Sequence, residues 1–204
     1  MEEGRKNWIK NINWKKEIKS WGVLVLIFAV LYFTGLITPI IGGLQSLVLA
    51  TGIIKPNTEN TRLPAQAFDY SGQFTDTVGK TVFLENYKGK TLFINLCATW
   101  CPPCRAEMPH ISELYKKTKD QPDLEFLMIA LDGDFEKSKK FIRDKGFTFP
   151  VLHAGYGLSS SLQSQAVPTT LVVGPSGKVL FYHEGMSNFN TPEFQEFLIG
   201  ASEE

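Results

Sequence analysis

The stretch Ala98-Thr-Trp-Cys-Pro-Pro-Cys-Arg-Ala-Glu-Met-Pro109 holds two cysteines, Cys101 and Cys104, separated by two residues. An apolar run, Thr91 to Cys97, leads into it, and a helical pattern, Arg105 to Lys119, leads out. A strand that feeds Cys-x-x-Cys into a helix sets the first sulfur at the helix N-terminus. Unpaired backbone N–H groups and the positive end of the dipole favour a thiolate there. The thiolate is the form that attacks a disulfide. The stretch therefore points to dithiol/disulfide exchange, with Cys101 as the attacking thiol and Cys104, one turn in, as the resolving one. Zinc is the rival chemistry, because Cys97, Cys101, Cys104 and His110 are four soft ligands on paper. Cys97 belongs to a strand, however, and adjacent prolines suit a helix start better than a metal knuckle. No metal and no cofactor are expected.

Around this centre the chain carries the marks of an anchored protein. Of 204 residues, 21 are basic and 21 acidic. Residues 1–19 hold six of the basic groups (Arg5, Lys6, Lys10, Lys15, Lys16, Lys19) against three acids, which leaves 15 basic and 18 acidic groups in the remainder. A basic head on a mildly acidic body argues against nucleic-acid binding. Three cysteines are too few for a disulfide scaffold.

No Lys, Arg, Asp or Glu occurs from Ser20 to Ile54. Residues 1–20 read as a cytoplasmic head, either solvated or a basic amphipathic approach with Trp8, Trp14 and Trp21. Residues 21–41 read as a transmembrane anchor, reaching with their flanks the ~20 residues that span a bilayer. Pro39 and Gly42–Gly43 are expected to break it. Residues 42–63 read as a short helix, with Leu44, Leu47 and Val48 on one face, followed by a polar linker. That helix lies on the membrane or on the soluble domain. Basic residues before the span put the N-terminus in the cytoplasm and the bulk of the chain outside. Ala65-Gln-Ala67 resembles a signal-peptidase site but lies too far from the apolar core, so an uncleaved anchor is expected. No cysteine precedes Cys97, so lipid modification of an N-terminal cysteine is not expected.

From residue 64 strands and helices alternate. Short strands are read around Phe68–Gln73 and Lys80–Leu84, and buried strands over Thr91–Cys97 and Leu124–Leu131. Helices are read over Pro102–Lys119 and over Asp134–Lys145, the latter capped by Gly146. Phe149–His153 is extended, and Leu158–Gln165 reads as a short helix. A hairpin joins Thr169–Val173 to Lys178–His183. A closing helix runs over Thr191–Ile199, with Thr191 as N-cap and Pro192 at its first position. This pattern predicts an α/β fold, a central mixed sheet with helices on both faces. Asp132-Gly-Asp134 reads as a turn and helix cap. His153 and His183 read as loop or strand surface.

Two features narrow the family. Val167-Pro168-Thr169 precedes an apolar strand, where the thioredoxin fold keeps a cis-proline beside Cys-x-x-Cys. The order of elements is also that of thioredoxin, with an insertion over 149–165. The quoted motif, with the anchor, resembles the TlpA/ResA-type membrane-anchored thiol-disulfide oxidoreductases over residues 64–204. The resemblance implies a thioredoxin-like domain on the outer face of a bacterial cytoplasmic membrane, periplasmic or extracytoplasmic. It implies clients that contain disulfides, including apocytochrome c before haem attachment, and electrons from a DsbD-like membrane thiol carrier.

Residue by residue it implies that Trp100 shields the motif and offers an apolar platform, and that the backbone at Val167 and Pro168 pairs with substrate. It also implies that Glu107 moves protons to and from the cysteines; read without the family, Glu107 is an exposed helix carboxylate. The buried acid of thioredoxin falls here at Asn95, which cannot accept a proton. Pro102 and Pro103 lack backbone N–H groups. The Cys101 thiolate thus loses two donors, which raises its thiol pKa and favours a reducing couple. Cys97 reads either as a small buried strand residue or as a third redox thiol. Two other classes stay open. A thiol peroxidase needs Thr and Arg at its cysteine, whereas Cys101 has Trp and Pro. A non-catalytic tethered binding module would keep Cys101–Cys104 as a structural disulfide.

Overall fold

The computed structural model describes residues 14–57, 67–155 and 157–202. Most of the basic head, the Ala65-Gln66 part of the candidate cleavage site and most of the linker lie outside the described residues. The chain divides into two compact units between Ile40 and Ile41.

In the first unit, helix α1 spans Trp14–Phe33. Thr34 bonds back to the Val30 carbonyl with both its N–H and its hydroxyl, and Gly35 takes a left-handed φ of 70° that ends the helix. Helix α2 then runs over Ile37–Ala50. The break therefore falls at Gly35 and not at Pro39. Pro39 is the third residue of α2, where a missing N–H costs nothing because the first N–H groups of a helix have no intrahelical partner. Among the described residues no single helix is long and apolar enough to cross a membrane; α1 and α2 meet that test only together, as a broken pair.

The second unit is built on a seven-stranded mixed sheet in the order β2-β1-β5-β4-β3-β6-β7. Its strands are β1 (Gln73–Asp76), β2 (Thr81–Phe83), β3 (Thr91–Cys97), β4 (Leu124–Ala130), β5 (Val151–His153), β6 (Thr169–Val173) and β7 (Val179–Glu184). Strands β3, β4 and β5 are parallel, and β6 runs antiparallel to β3. Every residue of β3 is buried, as its continuous apolar run requires. Period-two alternation sends Leu92, Ile94 and Leu96 to one face and Phe93, Asn95 and Cys97 to the other.

Helices α3 (Pro102–Thr118), α4 (Phe135–Lys145) and α5 (Pro192–Ala201) all pack on the Phe93 face. The expectation of helices on both faces is corrected here. Among the described residues no α-helical one enters the core cluster on the Leu92 face, which is closed by Phe68, by Phe74 of β1, and by Leu84 and Leu162 of two short 3-10 turns. The segment 158–165 is too short and too rich in serine to hold more than one such turn. The first two strands also start later than read, β1 at Gln73, just after Gly72 at φ 143°, and β2 at Thr81.

Local signals place the helices. Asp134 accepts the Glu136 N–H at 3.0 Å to start α4, and Gly146 at φ 68° ends it. Thr191 accepts the Phe194 N–H at 3.2 Å with Pro192 as the first residue of α5. Phe93 packs within an aromatic cluster of the core, with ring centroids 4.7 Å from Phe126, 5.7 Å from Phe189 and 6.2 Å from Phe194. Phe93→Ala is expected to cost about 3–5 kcal/mol of stability, read as a lower urea midpoint with an unchanged slope.

Candidate active site

Cys101 is the N-cap of α3. Its backbone is extended, and its sulfur accepts the Cys104 N–H at 3.3 Å, the bond that Ser or Asp makes at other helix starts. Pro102 and Pro103 occupy the first two helical positions without N–H groups. Among the backbone donors of this first turn, Cys104 alone reaches the sulfur, because the Arg105 N–H is spent on the Cys101 carbonyl at 3.1 Å. Cys101 and Cys104 are joined as a disulfide. Both are buried in this form, Cys101 at 4% exposure and Cys104 at 0%. Cys101, read as the attacking thiol, is thus the more exposed of the two only by that small margin. The carbonyl oxygen of Val167 lies 3.6 Å from the Cys101 sulfur, and Val167–Pro168 is a cis peptide. Sixty-six residues of sequence separate that pair. Trp100, beside them, is 61% exposed.

Behind the disulfide, α3 carries Glu107 into the sheet. It is fully buried, which overturns its plain reading as an exposed helix carboxylate. Asn95 of β3 donates from Nδ2 to Glu107 Oε1 at 2.7 Å and to Thr170 Oγ1 of β6 at 2.9 Å. Asn95 and Thr170 are direct cross-strand partners, so the second bond follows from the register. The Ser187 N–H reaches Glu107 Oε2 at 3.4 Å. Burial pushes the Glu107 carboxyl up to about 8, and the bonds from Asn95 and Ser187 oppose the shift without cancelling it. Cys97 is free and buried. Burial first, and the Glu107 charge second, push its thiol well above the usual range, so it stays protonated and unreactive. That fits its reading as a core residue.

Two site residues escaped the sequence. Asp132, read there as part of a turn, is buried at the end of β4 and accepts from the Thr99 N–H at 3.1 Å, the Thr99 hydroxyl at 2.6 Å and the Ser138 hydroxyl at 2.7 Å. It fixes the loop between β3 and Cys101 from the neighbouring strand. Its position just past a parallel strand, where α/β sites gather, was the available signal. Ser164 was missed in the same way: it bonds Thr169 Oγ1 at 2.6 Å and the Ala166 N–H at 3.2 Å, holding the loop that ends in Pro168.

Among the described residues no three His, Cys, Asp or Glu side chains are grouped to hold a metal, and His110 faces the Ser46 carbonyl at 3.4 Å. His153 stacks on Phe135 and reaches the Asp132 carbonyl at 2.9 Å. His183 is half-buried against Phe181 and Phe189, and not on open strand surface as read.

Residues 63–182 match the AhpC/TSA family. The chain is similar to the thiol-disulfide oxidoreductase ResA of Bacillus thuringiensis (strain Al Hakam), 35% identical over 107 residues, covering 52% of this chain and 61% of that protein. It is also similar to the ResA of Halalkalibacterium halodurans, 30% identical over 125 residues, covering 60% of this chain and 70% of that protein. In fold it resembles the crystal structure of StoA from Bacillus subtilis, with a TM-score of 0.53 and 20% identity over 68% of this chain and 98% of that one. The chain thus spans 61% of the length of the Bacillus thuringiensis protein.

A carboxyl at its ordinary 4.5 in the unfolded chain and about 8 in the fold holds its proton more tightly when folded. The stability this brings is fully present below about pH 4.5 and is lost as pH rises to about 8. Glu107→Gln keeps the shape and cannot ionise. Its unfolding free energy is expected to stay level across that window, while the parent protein loses on the order of several kcal/mol, measured by urea denaturation of the oxidised form at stepped pH.

Proposed function

The chain belongs to the AhpC/TSA family and to its ResA-type thioredoxin-like members, and from that premise we propose that it is a thiol-disulfide oxidoreductase, tethered to a membrane and reducing disulfides in extracytoplasmic client proteins. The observation that carries this reading is the sulfur of Cys101 as helix cap, held by one N–H from Cys104 and facing the Val167 carbonyl.

In the reduced protein the Cys101 thiolate attacks one sulfur of the client disulfide. A Cys101–client bond forms, the client S–S bond breaks, and the departing client thiolate takes up a proton. Cys104 then loses its proton and attacks the Cys101 sulfur, forming Cys101–Cys104 and releasing the second client thiol. The client gains two electrons and two protons, and the protein is left as the disulfide. A membrane thiol carrier of the DsbD kind returns the electrons. Apocytochrome c before haem attachment is a client by family resemblance.

Glu107 supplies and collects protons for Cys104, with which it shares α3 at i+3 spacing. Its carboxyl at about 8 lies close to the ordinary thiol range, so proton transfer between the two is nearly balanced. The exposed Trp100 and the backbone at Val167–Pro168 form the platform for the client. Asp132 and Ser164 hold the two loops of that platform in register.

The direction of exchange follows from the prolines. A thiolate with one backbone donor is less stabilised than one with three, so its thiol pKa is higher and its couple more reducing. A peroxidase reading gains nothing from the geometry, because the Thr99 hydroxyl is given to Asp132 and Arg105 donates to the Thr99 carbonyl at 3.3 Å. The tethered-anchor part of the proposal rests on the uncharged run from Ser20 to Ile54 after a basic head.

Cys104→Ala is expected to accumulate mixed disulfides on Cys101 that mass spectrometry identifies as exported proteins. A variant that captures none would sink the exchange mechanism. The parent protein, equilibrated with glutathione, is expected well to the reducing side of the about −120 mV of strongly oxidising dithiols.

A further inference from the structure

The part of α2 within the second unit, Ile41–Ala50, is built inside out. The residues turned toward the domain are Gly42, Gln45, Ser46 and Leu49, at the i, i+3, i+4, i+7 spacing of one helical stripe, with Gly42 and Leu49 buried and Gln45 and Ser46 half-buried. The residues turned outward are Ile41, Leu44, Leu47 and Val48, with Leu44 at 61% and Leu47 at 68% exposure. A helix folded onto a domain in water turns its aliphatic stripe inward. Here the inward stripe is small and polar except for Leu49, and the aliphatic one is left outside.

This arrangement is held at several points. A Cβ on Gly42 would meet the Pro102 carbonyl oxygen at 3.2 Å and the Arg105 Cβ at 3.3 Å, so glycine lets the helix sit this close to the start of α3 without pushing it away. His110 reaches the Ser46 carbonyl at 3.4 Å. Asn188 donates from Nδ2 to the Leu49 carbonyl and from its N–H to the Ile54 carbonyl, both at 3.1 Å. The outward face is therefore a fixed feature of the unit that contains the cysteines.

We propose that the outer face of α2, Ile41, Leu44, Leu47 and Val48, binds the phospholipid bilayer and seats the start of α3, with Cys101, at the membrane surface. The proposal rests on the anchored reading above and adds to it where the redox pair stands. Lipid is the occupant because the face continues, along the chain, the uncharged run that begins at Ser20 and includes the exposed apolar residues of α1, the run that forms the proposed anchor. A second copy of the chain is the poorer fit, because four aliphatic side chains fall short of the roughly 800 Å² per partner of a stable interface. A helix is about 10 Å across. Cys101 therefore stands about one helix diameter from the lipid, and the disulfides it meets first are those presented at the membrane surface.

The test uses the full chain in vesicles of phosphatidylcholine and phosphatidylglycerol. The photo-cross-linking residue p-benzoylphenylalanine replaces Leu44 or Leu47 in α2, Val25 in α1, or Val78 and Phe83 as exposed positions on the β1–β2 hairpin. Lipid adducts at 44, 47 and 25 and none at 78 or 83 are the expected result. Adducts at 25 without adducts at 44 and 47 overturn the proposal and leave the anchor standing. No adducts at 25, 44 or 47 overturn both. Chain-to-chain cross-links at 44 and 47 in place of lipid overturn it in favour of a second copy. Every readout is a mass on the chain, so none depends on whether the cysteines reduce a client.

Discussion

The structure turns on one buried hydrogen bond, from Asn95 Nδ2 to Glu107 Oε1. An isolated carboxylate in a fully apolar interior is too costly to keep, and a folded chain answers by pairing it or by holding its proton. Here both answers are used. Asn95 and the Ser187 N–H give the carboxyl partners, and burial raises its hold on the proton to about pH 8. The same amide group also bonds Thr170, so β3, β6 and α3 meet at one polar point inside a largely apolar core. A polar point of this kind fixes register, because a slip of one residue on β3 would carry Asn95 to the opposite face and strand Glu107.

That point determines how the cysteines are presented. With Glu107 fixed under the sheet, the first turn of α3 lies at the end of β3, and Cys101 caps it. The prolines at the next two positions remove donors that would otherwise favour the thiolate, and the Cys104 N–H is left to do so alone. Two further supports come from other strands: Asp132 pins Thr99, and Ser164 with Thr169 shapes the loop that brings the Val167 carbonyl to the sulfur. The chemistry proposed for the site is a consequence of this restraint: a dithiol beside a buried carboxyl that holds its proton up to about pH 8.

The sequence made the centre of the fold legible because its signals are local. The apolar run of β3, the Cys-Pro-Pro-Cys start of α3, the Asp134 and Gly146 ends of α4, and the Thr191-Pro192 start of α5 each act within a few residues, and each lies where its chemistry puts it. The two faces of the sheet were less legible. Strand alternation says that both are buried and not what covers them, so the 3-10 turns at Leu84 and Leu162 were read as more regular structure than they hold. The break at Gly35 was read at Pro39 because proline is the louder signal, although at the third position of a helix it is harmless.

What the sequence determined by itself is the redox pair, its place at a helix start, the shortage of backbone donors to Cys101, and the uncharged run that precedes the domain. These depend on which residues are adjacent. What only the tertiary structure decided is the environment of each group. It buried Glu107, brought the Val167 carbonyl to a sulfur 66 residues away, drew Asp132 onto the loop and turned the aliphatic face of α2 outward. Burial and long-range pairing are properties of the packed chain, set by strand register and helix seating. A carboxyl's hold on its proton follows from the packing around it, which no stretch of adjacent residues contains.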